Sequence, residues 1–229
     1  MDLADRNIRQ RDIVPPDKLA KIVALIVGVG AVGRQLALQL VTMGVPNLHL
    51  VDPQDVDVEN LGAQGFREKD LGRKKVDAVA TAMAEINSNS SVRLHAARFQ
   101  REHIPDLDED GKIVVCSCVD DMNARRTIWR AAKLSHLFMD SRMGAEVARV
   151  ITVADSKGEQ YYPKTLFSQS EMYQEPCTAK TTIYCASIQA GMMAAQFTKW
   201  LRGFPVSMDM VFNILSGDIT HDLVEAISV

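Results

Sequence analysis

The sequence predicts an α/β fold in which a mostly parallel β-sheet carries helices on both faces. Three features lead to this prediction. The apolar, β-rich run at residues 24–27 leads directly into a glycine-rich turn at 28–33, and an apolar helical pattern follows the turn. A second apolar run at 48–51 then ends at Asp52. Strand, glycine turn, helix and second strand in this order begin a Rossmann-like sheet.

Length and composition favour a single domain over residues 1–229. The chain has 229 residues with 47% apolar content, and no Gly/Ser/Pro-rich linker divides it. Residues 1–20 are polar, and two prolines at 15 and 16 stop any early helix, so we predict an N-terminal arm with a short helix at 17–21.

The remaining elements follow from helical or strand periodicity and from turn residues. After the second strand we predict, in order, a helix opening at Lys75, strands at 91–97 and 112–119, a helix at 124–135, strands at 136–140 and 146–154, a loop at 160–174, an apolar helix at 183–201, a last strand at 211–215, and a short helix or tail at the end.

Charge and hydropathy argue against several partners. The formal net charge is -3 and the pI is about 6.0, with no long block of like charge, so we expect no nucleic acid partner. The N-terminus is charged and lacks an apolar signal core. Gln189, Gln196 and Lys199 interrupt the apolar helix, which we interpret as buried or subunit-facing. We therefore expect no membrane partner. The four cysteines do not indicate a disulfide framework, which fits a reducing cytosol, so we expect a cytoplasmic location.

The glycine turn has the residues of a nucleotide-binding loop. Gly28 permits the tight turn, Gly30 lets the backbone approach a phosphate, and Gly33 lets helix and strand pack closely. The helix N-terminus behind them is an anion site. Asp52 lies about 20 residues further on, the distance expected of a carboxylate that binds a ribose hydroxyl. Asp120 follows the predicted fourth strand, so both acids belong to the same edge of the sheet.

Lys75 lies at the start of its predicted helix, where a cation is unfavourable for the helix dipole. An anion that comes to this helix end would explain the residue. A solvated helix end is the alternative for Lys75, and a helix N-cap is the alternative for Asp120. The arginines of the N-terminal arm could likewise form only a solvated face.

Taken together, these residues resemble the ThiF and MoeB group of ubiquitin-activating-like adenylyltransferases, from about Arg6 to Gly203. The family pattern has a glycine loop, a second-strand acid, an acidic segment ending in Asn-Leu-x-Arg-Gln, a downstream lysine and an aspartate after a later strand. The residues of this chain that match the pattern are Gly28, Gly30, Gly33, Asp52, Asp55, Asn60, Gln64, Lys75 and Asp120. Arg9, followed by Gln10, is similar to the family's N-terminal arginine, which reaches the ATP phosphates of the other subunit in a homodimer.

The resemblance implies ATP-dependent adenylation of the C-terminal carboxylate of a ubiquitin-like or sulfur-carrier protein, with release of pyrophosphate. It also implies the roles of the matching residues. Lys75 and Arg9 would neutralise the triphosphate, and Asn60 and Gln64 would orient it. Asp52 would bind the ribose, and Asp120 would bind Mg²⁺.

Two departures from the family pattern bear on this assignment. The arginine before Gln64 is replaced by Ala63, and losing such a charge-stabilising donor would cost about 2.7 to 4 kcal/mol of transition-state stabilisation. Arg34 and Arg142 are the candidate replacements, and the position of Arg142 after a strand favours it. The paired CxxC elements of many relatives are also missing, so we expect no structural zinc.

Cys177 corresponds to a family position that can take up the activated carrier as a thioester or acyl disulfide. A nearby helix N-terminus and Lys180 would depress the pKa of its thiol and make it more nucleophilic. The alternative is a small buried hydrophobe, which is the interpretation we give to Cys185 and to the predicted strand thiols Cys116 and Cys118.

Two other functions remain open from the sequence. The chain could be a non-catalytic, nucleotide-binding partner or regulatory subunit in which Ala63 reflects lost catalysis. It could also be an NAD-dependent oxidoreductase built on the same glycine turn, although the segment from Asn60 to Lys75 would then have no role. The carrier protein and its pathway stay unnamed.

Overall fold

The computed structural model describes residues 6–106, 111–133, 135–167 and 181–223. They form an eight-stranded sheet in the order β3-β2-β1-β4-β5-β6-β7-β8. The strands are β1 Ile22–Val27, β2 Asn47–Val51, β3 Ser91–His95, β4 Lys112–Ser117, β5 Leu137–Gly144, β6 Val147–Val153, β7 Ser207–Asn213 and β8 Asp218–Leu223. Neighbours from β3 to β5 pair in parallel, and those from β5 to β8 are antiparallel.

Helices cover both faces of this sheet, as the sequence predicts. They are α1 Pro16–Leu19, α2 Ala31–Met43, α3 Glu59–Gln64, α4 Lys75–Ile86, α5 Met122–Ala132, α6 Ser156–Tyr161 and α7 Ile183–Arg202. One hydrophobic core lies between the sheet and α2, α4 and α7, and a second lies on the α5 face. The predicted α/β fold is confirmed.

The position of β1 at the centre of the sheet explains why its sequence is a continuous apolar run. Ala24 and Ile26 lie in the first core, whereas Leu25 and Val27 lie in the second. A parallel strand with helices on both faces must bury both sets of side chains, so it carries no polar alternation.

The long apolar helix α7 is buried, in agreement with its interpretation from the sequence. It packs mainly against α2, β5 and β6 and also contacts α3, and Gln189 and Gln196 are both fully buried. The Gln189 amide donates to the carbonyl oxygens of Arg142 and Arg149 at 2.9 and 2.8 Å. Within the described ranges, no helix combines the length and hydropathy needed to cross a membrane.

The predicted loop at 160–174 is wrong in its first part. Residues 156–161 form α6, and Tyr162–Thr165 form a 3-10 turn. Asp155 caps α6 by accepting a hydrogen bond from the Gly158 amide at 2.8 Å. Tyr162 is fully buried beside Trp129 and Phe138, so tertiary packing fixes a segment that has no periodicity of its own. Residues 168–174 lie outside the described part of the chain.

The predicted C-terminal helix or tail is also wrong for residues 218–223. This segment is β8, which forms an antiparallel hairpin with β7. The turn between the strands is held by Ser216, whose amide donates to Asn213 Oδ1 at 3.2 Å. The strand lies at the edge of the sheet and its side chains through Asp222 are exposed, so it lacks the apolar run that marks a buried strand.

The glycine turn lies where the strand order reverses. The chain moves from β1 to β2 and β3 on one side, then crosses to β4 and β5 on the other. In such sheets the crevice outside the carboxyl ends of the two central strands is the place where ligands bind. The turn that follows β1, Asp52 after β2 and Asp120 near the end of β4 therefore share one edge.

Gly33 should be the most sensitive glycine of this turn. A Cβ at Gly33 would lie 1.8 Å from the Gly28 carbonyl oxygen, so an alanine must push α2 away from β1. We expect Gly33→Ala to lower the free energy of unfolding by about 1 to 3 kcal/mol, measured by urea denaturation.

Gly62 provides the matched control for this substitution. It lies inside α3, and a Cβ there would have no heavy atom within 4 Å. Gly62→Ala should be neutral or stabilising by roughly 0.5 to 1 kcal/mol, because glycine is the poorer helix former. Equal stability of the native chain and Gly33→Ala would contradict the packing role of Gly33.

Candidate active site

The first turn of α2 presents backbone N–H groups to the crevice. Gly28 has φ +84°, and a Cβ on it would lie 2.7 Å from the Cys118 carbonyl oxygen, so only glycine fits this turn. Gly30 is the N-cap residue of α2, and no side chain caps this helix end. The N–H groups of an uncapped N-terminus, together with the helix dipole, form an anion-binding site.

Asp52 is fixed against this turn. Its side chain is buried, and Oδ2 accepts a hydrogen bond from the Val29 amide at 2.9 Å. Oδ1 accepts from the Gln54 amide at 2.8 Å. Each carboxylate oxygen can accept a further bond, so Asp52 retains the capacity to receive a hydroxyl hydrogen.

Lys75 lies at the same edge of the sheet and is only 3% exposed. A solvated helix end therefore does not explain this lysine. Its Nζ donates to Gln54 Oε1 at 2.8 Å. Burial lowers the pKa of Lys75, while Asp52, Asp120 and, less strongly, Glu59 oppose this shift. An ammonium carries three donors, so Lys75 can bind an anion while it keeps its bond to Gln54.

Asp120 is not the cap of α5. The N-cap is Asp121, whose Oδ1 accepts from the Ala124 amide at 2.7 Å. Asp120 is exposed, and no described residue forms a hydrogen bond with its carboxylate. Its charge acts on Lys75 across the crevice. The alternative of an N-cap for Asp120 is therefore wrong, because Asp121 fills that role.

Asn60 and Gln64 lie on α3, which runs beside the glycine turn. Asn60 is buried, and its Oδ1 accepts from the Asp57 amide at 2.9 Å. Gln64 Oε1 is buried without a hydrogen-bond partner among the described residues, and it would lie 3.4 Å from a Cβ on Gly30. An unpartnered polar atom beside a helix N-terminus is a candidate ligand-binding group.

Asp55 is placed differently from the other predicted residues. Its carboxylate forms a surface ion pair with Lys74, with Lys74 Nζ 2.8 Å from Asp55 Oδ1. The backbones of the two residues also form an isolated antiparallel bridge. The structure thus gives Asp55 a local partner that joins the loop after β2 to the start of α4.

The two candidate arginines differ in their surroundings. Arg142 Nε donates to Asp140 Oδ2 at 2.7 Å, and its other nitrogens donate to the carbonyl and hydroxyl of Thr165. Asp140 is fully buried and also binds Arg125. Arg142 therefore anchors the segment after α6 to β5. Arg34 lies in the first turn of α2 next to the glycine turn.

Arg9 is exposed on an arm that packs at the opposite edge of the sheet. Arg6 donates to the Ile86 carbonyl at the end of α4, and Gln10 donates to the Met43 carbonyl at the end of α2. Both helix ends lead into the amino ends of strands, whereas the glycine turn follows the carboxyl end of β1. Arg9 is thus remote from the glycine turn of its own chain.

Cys116 and Cys185 are buried, as we interpreted them, and Cys118 is partly buried against the core. Burial raises the pKa of the Cys118 thiol to about 12. Cys177 and Lys180 lie outside the described residues. Within the described ranges, no group of three or more His, Cys, Asp or Glu side chains is placed to hold a metal ion.

Comparison with known proteins identifies the family. The family model described as ThiF family matches residues 5–225 of this chain. The chain belongs to the ThiF family. The resemblance drawn from the motif order is confirmed, and this ThiF-family chain keeps the glycine turn, the second-strand acid and the downstream lysine in one crevice.

Curated relatives of this ThiF-family chain match about half of it. The adenylyltransferase and sulfurtransferase uba4 of Emericella nidulans is 32% identical over 118 residues, which cover 51% of this chain and 24% of that protein. The NEDD8-activating enzyme E1 catalytic subunit of Dictyostelium discoideum is 32% identical over 109 residues, which cover 45% of this chain and 23% of that protein. The matched region is thus about a quarter of each relative.

Solved structures share the fold of this ThiF-family chain over nearly its whole length. E. coli MccB superimposes with a TM-score of 0.76 at 17% identity, covering 96% of this chain and 69% of that chain. PaaA superimposes with a TM-score of 0.73 at 19% identity, covering 97% and 82%. A structure of E. coli MccB with ATP gives a TM-score of 0.70 at 18% identity, covering 93% and 66%.

Two residues of the site were missed by sequence reasoning. Gln54 binds Lys75 through its side chain and Asp52 through its backbone amide. Glu59 adds to the negative charge around Lys75. Gln54 lies in the acidic segment between β2 and α3, and Glu59 is the first residue of α3. No periodicity or spacing distinguishes either residue from its neighbours.

Proposed function

We propose that this chain is an ATP-dependent adenylyltransferase that activates the C-terminal carboxylate of a ubiquitin-like or sulfur-carrier protein. One observation carries the proposal. Asp52, Lys75 and Asp120 surround the crevice in front of the uncapped N-terminus of α2, at the reversal of strand order. The family membership and the names of the relatives agree with this activity.

The residues present fit ATP as a substrate. The glycine turn leaves backbone N–H groups free for phosphate, and Asp52 can accept from a ribose hydroxyl. Lys75 would neutralise phosphate charge, and the Nε2 group of Gln64 could donate to a phosphate oxygen, with Asn60 supporting α3 beside it. The same groups would be poorly explained by a purely structural turn.

Mg²⁺ fits Asp120. This ion is typically bound by one or two carboxylates together with substrate phosphates and water, so a dedicated cluster of protein ligands is not required. Asp120 is an exposed carboxylate at the carboxyl edge without a hydrogen-bond partner among the described residues. The ion would supply positive charge to the phosphates, and Asp120 would hold it at this edge.

The proposed reaction joins two anions. A carboxylate oxygen of the carrier protein attacks the α-phosphorus, the bond from that phosphorus to the bridging oxygen breaks, and pyrophosphate leaves as the acyl adenylate forms. Preorganised positive charge around the phosphates is the main contribution that a protein can make to such a transfer. Lys75 and the α2 N-terminus supply that charge from fixed positions.

Pyrophosphate release tests this function. The purified chain with Mg²⁺ and ATP is offered a panel of ubiquitin-like and sulfur-carrier proteins, each paired with a form that lacks its C-terminal tail. We expect release with at least one intact carrier and none with its truncated form. ATP binding without release for every carrier would favour the non-catalytic partner subunit that Ala63 suggests.

The transfer of the activated carrier to Cys177 is the second part of the proposal. It rests on the resemblance, since the residue lies outside the described chain. Cys177→Ala should keep pyrophosphate release and lose a thiol-labile adduct with the carrier, detected by non-reducing electrophoresis. Cys185→Ala is the control, because Cys185 is buried inside α7 and should not form the adduct. An adduct that survives Cys177→Ala would remove this step.

We also propose that a second copy of the chain completes the site with Arg9. The arm is anchored to the ends of α2 and α4, on the edge of the sheet that faces away from its own glycine turn. An arginine in this position can serve the phosphates only of another copy.

Subunit mixing tests the shared site. Arg9→Ala and Lys75→Met should each be inactive as homodimers, but a mixed dimer contains one site with both native residues. With random exchange of equal amounts, we expect recovery of about a quarter of native pyrophosphate release. Mixtures that stay inactive although the subunits exchange would show that Arg9 does not act across subunits.

A further inference from the structure

Arg34 is a buried cation without a bonded partner. Its side chain lies in the first turn of α2 and the residue is 8% exposed. Its Cζ lies 5.3 Å from the centroid of the Phe66 ring, but no described residue forms a hydrogen bond or ion pair with the guanidinium. The nearby Asp70 is already engaged, because it accepts from Arg73 Nη1 at 2.9 Å and from the Arg67 amide at 3.2 Å.

This position is unfavourable for a cation in two ways. A buried charge without a bonded partner loses its hydration and gains little in return. The first turn of a helix also carries the positive end of the dipole, and α2 has no acidic residue there to offset it. The other buried arginine of the described chain, Arg125, binds Asp140, as does the partly buried Arg142. An anionic ligand would supply the partner that Arg34 lacks among the described residues.

Arg34 lies against the end of α3, the helix that carries the unpartnered Gln64 side chain. Arg34 Nη1 would be 3.2 Å from a Cβ on Gly65, the residue that ends α3. The preceding residue, Gln64, places its Oε1 3.4 Å from a Cβ on Gly30. Arg34 and Gln64 thus line the gap between the first turn of α2 and the last turn of α3, beside the uncapped helix N-terminus.

We propose that Arg34 is a phosphate-binding residue, which contacts the polyphosphate of ATP from the first turn of α2 and supplies the charge that Ala63 omits from α3. This inference rests on the proposed function and extends it to a residue outside the family pattern. A planar guanidinium offers paired donors that match phosphate oxygens. Stacking on Phe66 holds the guanidinium in place while it leaves the N–H edges free to donate.

Calorimetric titration with adenosine, AMP and Mg²⁺-ATP tests this contact. A contact with the polyphosphate predicts that Arg34→Ala weakens ATP binding by about tenfold to a hundredfold and leaves adenosine binding within about twofold. Arg34→Met is measured beside it, since methionine keeps much of the apolar packing on Phe66 and protects the test from simple unfolding.

Arg67→Ala is the matched control for loss of positive charge near the crevice. Arg67 pairs with Glu85 at the surface, with side chains 42% and 48% exposed, so its removal should leave ATP affinity unchanged. The combined variant Arg34→Ala with Ala63→Arg should recover part of the lost affinity, because it returns an arginine to the neighbouring turn of α3.

The outcomes separate this inference from the proposed function. Unchanged ATP affinity in both Arg34 variants would overturn the role of Arg34 and leave the adenylyltransferase proposal intact. An equal loss of adenosine, AMP and ATP binding would assign Arg34 to packing alone. A native chain that binds none of the three would overturn both proposals.

Discussion

Asp120→Ala is expected to lower carrier-dependent pyrophosphate release by roughly 10²- to 10³-fold, the usual cost of losing one preorganised electrostatic contact with the reacting group. Asp120 is exposed at the carboxyl edge of the sheet, and its charge acts on Lys75 across the crevice. Its removal takes away the proposed Mg²⁺ ligand without disturbing a described hydrogen bond. The variant should fold normally and lose the Mg²⁺ dependence of ATP binding.

Asp121→Ala is the control that the sequence itself provides. Asp121 caps α5 through its bond to the Ala124 amide, and loss of an N-cap costs about 0.5 to 2 kcal/mol of stability. This neighbour should therefore lower the unfolding temperature and keep pyrophosphate release. The two adjacent aspartates give opposite expected patterns, one catalytic and one structural. A catalytic loss of the same size in both variants would contradict the assignment of Asp120.

Lys75→Met is expected to have the second large effect, again a fall of roughly 10²- to 10³-fold in pyrophosphate release. Methionine keeps the buried stem of Lys75 and removes the ammonium that binds Gln54 and faces Asp52. The phosphates of ATP would then bind beside the carboxylates of Asp52 and Asp120 without the compensating charge of Lys75. ATP affinity, measured by calorimetric titration, should fall in parallel.

Lys74→Met is the matched control, since it removes the same charge one residue earlier. Lys74 pairs with Asp55 at the surface, where the side chains are 42% and 54% exposed. Exposed pairs of this kind contribute about 0 to 1 kcal/mol to stability, so the variant should retain both folding and activity. An equal loss of activity in both lysine variants would indicate a general effect of charge and would count against a contact made by Lys75.

Much of the fold could be predicted because its strands are buried on both faces. The runs that become β1, β2 and β4 are continuously apolar, and a glycine turn joins the first of them to α2. The edge strand β8 has no such signal, since its side chains are exposed and its pairing with β7 depends on the turn between them. The segment after Asp155 likewise depends on burial of Tyr162, which only the assembled core provides.

The candidate site, like the fold, could be predicted from the sequence only in part. Spacing along the chain identified Asp52, Lys75 and Asp120, because strand ends and helix starts meet at one edge of a parallel sheet. The surroundings of the arginines could not be predicted. Arg142 is held by Asp140 from its own strand and by Thr165, whereas Arg34 is left without a bonded partner. Such pairings depend on which side chains meet across elements distant in sequence.

Thermal unfolding with Mg²⁺-ATP, ATP alone or NAD tests most directly whether this crevice is an ATP site. A ligand at 100 times its dissociation constant stabilises the native state by about 2.7 kcal/mol, a shift that is readily measured. We predict stabilisation by ATP that depends on Mg²⁺ in the native chain and loses that dependence in Asp120→Ala. Stabilisation by NAD in preference to ATP would instead favour the oxidoreductase, and no response to any nucleotide would contradict the account.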